Sequence, residues 1–350
     1  MKMRLGISAM LAYGLAFGII SQAYALDAFW HGVRSDDWND GIHPPTQQSN
    51  WYSQAPPNGL PRQVPDGTAI FANGAVRMRL KISSDTVIAT MRFPANTARY
   101  TFGIDTDKQL LINGGGLINN STVSPFFFVD GSMTFVQAAK MTGAAGRSAK
   151  ISTINDGTLS FRNTSRGGNA IVANTLGGQT VFFDRTSADR MVINNFALKG
   201  GASTTTFLGR SNGGEAQFEN EAEGIINFQS TTGPAGDRKV TAGSIDNAGR
   251  LNVGLNTLTV LNKFKQAGSG FLRLTIAPQQ GGRVLVKNVA TIGGNLVISG
   301  QSNLPAGQRL ILRAGGGLAG KFAKVQFIGF PAGPKPVLVY SANSVLLKTF

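Results

Sequence analysis

The sequence predicts an all-β chain wound as a single right-handed parallel β-helix, a β-solenoid with an irregular Trp/Pro-rich N-terminal cap. Three observations predict it. Between Gly157 and Leu251 one pattern returns about four times: an apolar couplet ending in Phe, a polar turn, a short run ending in Asn, and a Gly-rich turn. A period of about 20 to 50 residues marks a solenoid, because one such unit cannot bury its apolar face without neighbours. Within the repeat no apolar residues recur at i, i+3, i+4 for three turns, so the unit is built of short strands. Finally, Gly is 45 of 350 residues and charged residues are 15%, against usual shares of about 7% and about 25%. Many tight turns and few helical surfaces produce that bias. A β-sandwich shares the short strands and Gly/Asn turns, but it needs no fixed period.

Residues 1–25 read as a cleavable secretory signal: Lys2 and Arg4, an apolar run from Leu5 to Ile20, then Ala23-Tyr24-Ala25. That is the charged, apolar and A-x-A order of such a segment, and Gly6, Ser8, Gly14 and Gly18 thin a run already short for a membrane span. No later run reaches about 18 apolar residues, so no transmembrane helix is expected in the mature chain.

Residues 26–65 hold all three Trp (Trp30, Trp38, Trp51), both His, and Pro44, Pro45, Pro56, Pro57, Pro61 and Pro65. Regular structure is not expected through the prolines. An open β-stack must cover its terminal strands, and Trp buries much apolar area for few residues, so this segment is expected to cap the solenoid. Sugar stacking on Trp38 or Trp51 is the functional alternative.

From residue 66 to 350 the chain is expected to coil, in roughly twelve turns. Strand-like runs from Ala69 to Val129 form irregular first coils, and Val136 to Lys150 reads as a loop because of Gly143 and Gly146. In the repeat proper, Phe161, Phe183, Phe207 and Phe228 step by 22, 24 and 21 residues and are expected to stack inside the tube. Asn174, Asn195, Asn220 and Asn247 are expected at one corner, where Asn tolerates left-handed geometry and bonds to nearby backbone.

After Leu251 the period loosens and the strands become more apolar. Phe264-Lys265-Gln266 with Gly270, Leu272 and Leu274, then Gly293-Gly294-Asn295-Leu296-Val297, then the run Leu310 to Phe322, Tyr340 and Val345-Leu346-Leu347 resemble the C-terminal end of autotransporter passenger domains. Asp37-Trp38, Asn50-Trp51 and Asp66 to Phe71 look like the entry of the same class. Leu159-Ser160-Phe161 followed by Gly168-Asn169-Ala170-Ile171 is similar to autotransporter-associated β-strand repeats. The resemblance implies an exported surface, outer-membrane or secreted adhesin-like module, with 251–350 as the passenger end. It departs from the family in lacking the C-terminal β-barrel, since the chain stops at Phe350 and a barrel needs at least about eight strands. The expected outcomes are therefore delivery by a separate translocator, periplasmic residence without one, or a truncated gene product.

Little in the sequence points to catalysis. No Cys is present and His31 and His43 are the only histidines, so no thiol chemistry, metal site or cofactor is expected. Gly315-Gly316-Gly317 lacks the Lys-Ser/Thr that completes a phosphate loop. A polysaccharide lyase or hydrolase on a β-helix would need converging carboxylates. The candidates are Asp36, Asp37 and Asp40, Asp105 and Asp107, Asp184 and Asp189, and Glu215, Glu219, Glu221 and Glu223. Glu219, Glu221 and Glu223 alternate and would share one face of a strand, where a solvated face is expected.

Charge supplies the binding candidate. The chain carries a formal +15, and no Asp or Glu follows Asp246, whereas twelve Lys or Arg do. A field of one sign over a third of the chain attracts polyanions such as acidic glycans or lipopolysaccharide phosphates. The candidate polyanion-binding residues are Arg273, Arg283, Lys287, Arg309, Arg313, Lys321 and Lys324. They lack interleaved Tyr or Trp, so sequence-specific nucleic-acid binding is not expected.

Overall fold

The computed structural model describes residues 25–44, 46–143, 148–196, 201–300, 304–330 and 333–350. The expected secretory signal, residues 1–25, lies outside these residues except for Ala25. Among the described residues there is no helix, and parallel stacked sheets form a β-solenoid of about 10 turns. At roughly 4.8 Å per turn the stack rises on the order of 50 Å. The count falls below twelve because the C-terminal end does not coil. Residues 26–65 contribute only short strands across the mouth, and the last residues fold as an antiparallel hairpin.

Three sheets line the tube. The first runs from Pro61–Arg62, Trp51–Tyr52 and Ala28–Trp30 through Thr68–Ile70 to Lys324–Ile328. The second runs from Arg79–Ile82 to Leu318–Gly320, and the third from Lys239–Ala242 to Val337–Tyr340. Before the third sheet begins, that side is a line of single parallel bridges, Lys140 to Arg166 to Ser187 to Asn212. The expected loop at Val136 to Lys150 contains the strand Lys140–Gly143, which pairs with Gln109–Asn119 despite its terminal glycine.

Inside the first sheet, in-register pairing places Phe135, Phe161, Phe182, Phe207 and Phe228 above one another. Successive rings lie 4.5–5.2 Å apart and within 6–11° of parallel. That spacing is the strand repeat itself, and near-parallel offset rings at this distance attract. The stack uses Phe182 and not Phe183. The strand Gln179–Phe182 alternates with Thr180 and Phe182 inward, which leaves Phe183 half-exposed beneath the Arg162 guanidinium, 4.2 Å from its ring centre. One residue of parity reverses the face.

Asn174, Asn195, Asn220 and Asn247 end strands of the second sheet and are buried. None has a left-handed φ, so that part of the expectation fails. The expected backbone bonds are present, each amide donating to a main-chain carbonyl: that of Thr204, Ile225, Gly224 and Phe271 respectively. Each side-chain amide donates to the carbonyl oxygen of the next: Asn174 Nδ2 to Asn195 Oδ1 at 2.8 Å, Asn195 to Asn220 at 3.0 Å, and Asn220 to Asn247 at 2.7 Å. Thr153 Oγ1 donates to Asn174 Oδ1 at 2.7 Å at one end, and Asn247 donates to Gln266 Oε1 at 2.8 Å at the other. Inward Thr180 and Thr205 of the first sheet add donors to Asn174 and Asn195 at 2.8 and 3.0 Å.

The N-terminal segment is the expected cap. Trp30, Trp38 and Trp51 are fully buried, with Trp51 donating to the Trp38 carbonyl at 2.7 Å and Trp30 to the Arg77 carbonyl at 2.7 Å. Trp38 also packs on Phe71 and Phe102. This removes Trp38 and Trp51 as sugar platforms. The segment is more regular than its prolines suggest, because Ala28–Trp30 pairs in parallel with Thr68–Ile70 and antiparallel with Trp51–Tyr52. At the other end Ser344–Thr349 inserts antiparallel between Gly307–Ala314 and Val337–Tyr340, which closes the third face.

Two substitutions test this interior. Phe182→Ala is expected to cost about 3–5 kcal/mol by opening a cavity in the ring column, and Phe183→Ala about 0.5–1 kcal/mol through the exposed Arg162 contact. Asn195→Ala strips donors or acceptors from Asn174, Asn220 and Thr205 and is expected to cost on the order of 3 kcal/mol. Urea unfolding midpoints of the three variants give the ranking.

Candidate functional site

The basic third is spread around the tube by the coil, because successive strands of one turn belong to different faces. On the third face Arg283 and Arg313 point outward from the strands Arg283–Val286 and Gly307–Ala314, with Leu285 in register with Arg313. They join Lys287 around a shallow cleft of about 310 Å³ whose other walls include Leu285 and Leu310. Arg283 is held by donation from Nε to Thr257 Oγ1 at 3.0 Å. The structure thus brings together three of the seven candidate cations.

The other four lie elsewhere. Arg273 and Lys324 project from the first face, in register with Val297 and Asn295. Burial first, and then the nearby Arg250 charge, lowers the Arg273 pKa from the usual arginine value. Arg309 donates to the Pro305 carbonyl at 3.2 Å and to Thr349 Oγ1 at 3.0 Å, which ties down the C-terminal strand. Lys321 sits over the Tyr340 ring at 5.5 Å. Of the cations after Asp246, Lys265 has a carboxylate partner, Asp246 at 2.8 Å. Among the described residues the remaining ones have no ion pair, so the positive field is not neutralised locally.

The candidate carboxylates do not converge. The strand Gln217–Asn220 ends before Glu221, and Glu223 has a φ of 67°, so Glu219, Glu221 and Glu223 do not share a strand face. The chain turns there to enter the next coil. Asp107, Asp184 and Asp189 are also left-handed turn residues, at φ of 59°, 52° and 51°. Asp184 accepts from the Asn163 backbone N–H at 2.7 Å, and Asp189 pairs with Arg166 at 3.4 Å. Glu215 pairs with Arg190 at 2.9 Å. These last two pairs line a cleft of about 510 Å³, beside Lys140 and Asn169. Their charges are matched within the wall.

Near the cap, Asp37 accepts from Ser83 Oγ and from the Asn39 backbone at 3.0 Å. Asp40 accepts from Ser35 Oγ at 2.7 Å and pairs with Arg34 at 3.2 Å and His43 at 2.6 Å. Burial alone would raise the Asp40 pKa. The Ser35 and Arg34 hydrogen bonds, with the Arg34 and His43 charges, outweigh it and hold the carboxyl below its usual value. His31, buried and bonded to the Gln54 carbonyl at 2.8 Å, is shifted down by desolvation. Among the described residues no group of three or more His, Cys, Asp or Glu could hold a metal ion.

One exterior feature includes Asp105 alone of the sequence candidates. Phe128 is 44% exposed on the outer side of the second sheet, above a cleft of about 440 Å³ lined by Gly103, Ile104, Asp105, Thr106 and Asp130. The run Phe126 to Val129 is apolar throughout, so its sequence does not reveal which rings face out. Only the register with Thr101–Ile104 decides it.

A depressed folded-state pKa means that Asp40 contributes stability above its ordinary, unfolded value. That contribution is lost as pH falls through the lowered folded value, below about 4. The cap is therefore expected to loosen in that acid range, read as a change in Trp fluorescence. Asp40→Asn is expected to weaken the cap at neutral pH and to flatten this part of the acid response. No known protein family matches the chain, and no curated protein matches it either.

Proposed function

We propose that the chain is an exported, passenger-like β-solenoid that serves as an adhesive or structural module at the cell surface or in the medium, acting by contact and not by catalysis. The observation that carries this reading is the long parallel solenoid, with repeated outward rows and an N-terminal Trp plug. It is the architecture that the resemblance to autotransporter passengers implies. The Lys2, Arg4 and Ala23-Tyr24-Ala25 pattern supports export. Against catalysis, the described partners of Asp37, Asp40, Asp184, Asp189 and Glu215 are turn hydrogen bonds and ion pairs.

A second reading, weak polyanion binding, is favoured by the Arg283, Lys287 and Arg313 cluster and by the absence of any acid after Asp246. Acidic glycans or lipopolysaccharide phosphates would supply the matching charge.

Cell fractionation tests the first reading. The mature protein beginning after Ala25 is expected outside the inner membrane, and at the surface where a separate translocator is supplied. Cytoplasmic retention with residues 1–25 uncleaved would refute export. Release of new reducing or unsaturated ends from acidic polysaccharides, abolished by Glu221→Gln, would replace the contact role with an enzymatic one. For the second reading, heparin affinity of the full chain is expected to fall steeply from low to physiological salt and to drop in the combined Arg283→Ala, Lys287→Ala and Arg313→Ala variant. Salt-insensitive binding would refute it.

A further inference from the structure

We propose that the outer face around Phe128 is a binding subsite for an uncharged oligosaccharide. Phe126 and Phe128 both project outward from the strand Phe126–Val129, with ring centres 4.5 Å apart, and form an aromatic pair on the outside of the tube. The pair presents aromatic area whose removal from water on contact is favourable. In-register pairing decides what stands beside it. Phe128 is flanked by Gly103 on one side and by Ser152 on the other, and Ser152 is followed by Ala173. The ring therefore rises from a row of small residues, with a notch at Gly103.

Gly103 is not required by the backbone. It has no left-handed φ, and a Cβ there would meet only the Leu80 carbonyl oxygen, at 4.0 Å. A side chain would fit, and its absence leaves the side of Phe128 open.

The polar wall suits hydroxyl groups. Asp105 is paired with Lys81 at 3.0 Å, and both side chains remain substantially exposed. Thr106 Oγ1 donates to Asp130 Oδ2 at 2.8 Å. Lys150 stands next to Phe126 in register. The residues lining the cleft include two carboxylates, Asp105 and Asp130, and no Lys or Arg, with Lys81 offsetting Asp105 through its ion pair. An acidic ligand is disfavoured there, while hydroxyl donors find acceptors side by side. A sugar hydroxyl is both donor and acceptor, and a pyranose presents an apolar C–H face that can lie on a phenyl ring. A protein side chain of purely apolar character would take these polar groups from water and offer them no hydrogen bond in return.

The inference stands apart from the basic third, whose ligand would be anionic, and from export, which fractionation reads independently. The full chain is titrated by calorimetry with cello-, malto- and chito-oligosaccharides, with heparin as the acidic comparison. At least one uncharged series is expected to bind saturably and equally well at low and physiological salt. Phe128→Ala and Gly103→Val are each expected to weaken that binding by at least about tenfold. Thermal melting shows whether the variants remain folded, and Gly103→Val is expected to melt no lower than the parent because valine favours strands and has room. Absence of binding by all three uncharged series, binding retained in both folded variants, or binding confined to heparin would overturn the proposal.

Discussion

Every interior position of this molecule must tolerate a near-copy of itself one turn above and below, because the strands stack in parallel and in register. That constraint selects side chains by self-complementarity. A phenyl ring satisfies it by offset stacking, as in the column from Phe135 to Phe228. A carboxamide satisfies it through its chemistry, since one end donates and the other accepts, so Asn174, Asn195, Asn220 and Asn247 bond head to tail within the core. A column of like charges cannot satisfy it at all. Among the described residues no Asp, Glu, Lys or Arg is buried in the coil interior; these groups appear in the outward rows and turns.

The amide column also sets register where the apolar columns cannot. Phe, Ile and Val would accept a neighbouring coil displaced by two residues with modest loss, whereas a buried amide displaced from its partner loses hydrogen bonds in a low-dielectric site. The column ends in polar residues of related capacity, Thr153 and Gln266, and not in an abrupt apolar neighbour. Thr180 and Thr205 reach it from the opposite sheet, so the same network couples two walls of the tube.

Much of this was legible in the sequence, because periodicity survives in a one-dimensional reading. The solenoid class, the Asn positions, the Trp plug and nearly all strand runs follow from spacing and turn residues. What was not legible depends on parity. Val181-Phe182-Phe183 and Phe126-Phe127-Phe128-Val129 contain no alternation, so only the pairing partners show that Phe182 and Phe127 go in while Phe183, Phe126 and Phe128 go out. The Glu219, Glu221 and Glu223 alternation misled for the converse reason. It crosses a strand end, and a period of two has no meaning in the turn that begins at Glu221. The basic run after Asp246 was visible as composition, but a chain that changes face every few residues turns a linear run into a belt, and of the seven candidate cations three, Arg283, Lys287 and Arg313, meet in one cleft.

The same geometry explains how a one-signed third remains folded. Cations on different faces point away from one another into water, where separations beyond about 8–10 Å are largely screened at physiological salt. Where two share a face, as Arg250 and Arg273 do, the effect appears as a lowered Arg273 pKa, with burial the larger cause. Self-repulsion is thus divided among faces, while outside the molecule the fields of all faces add with one sign. A coil can therefore carry a concentration of charge that a single sheet face would not sustain. Toward the N-terminal end carboxylates and cations are interleaved, and the outer surface can there use exposed rings such as Phe128, with local ion pairs beside them, to favour an uncharged partner.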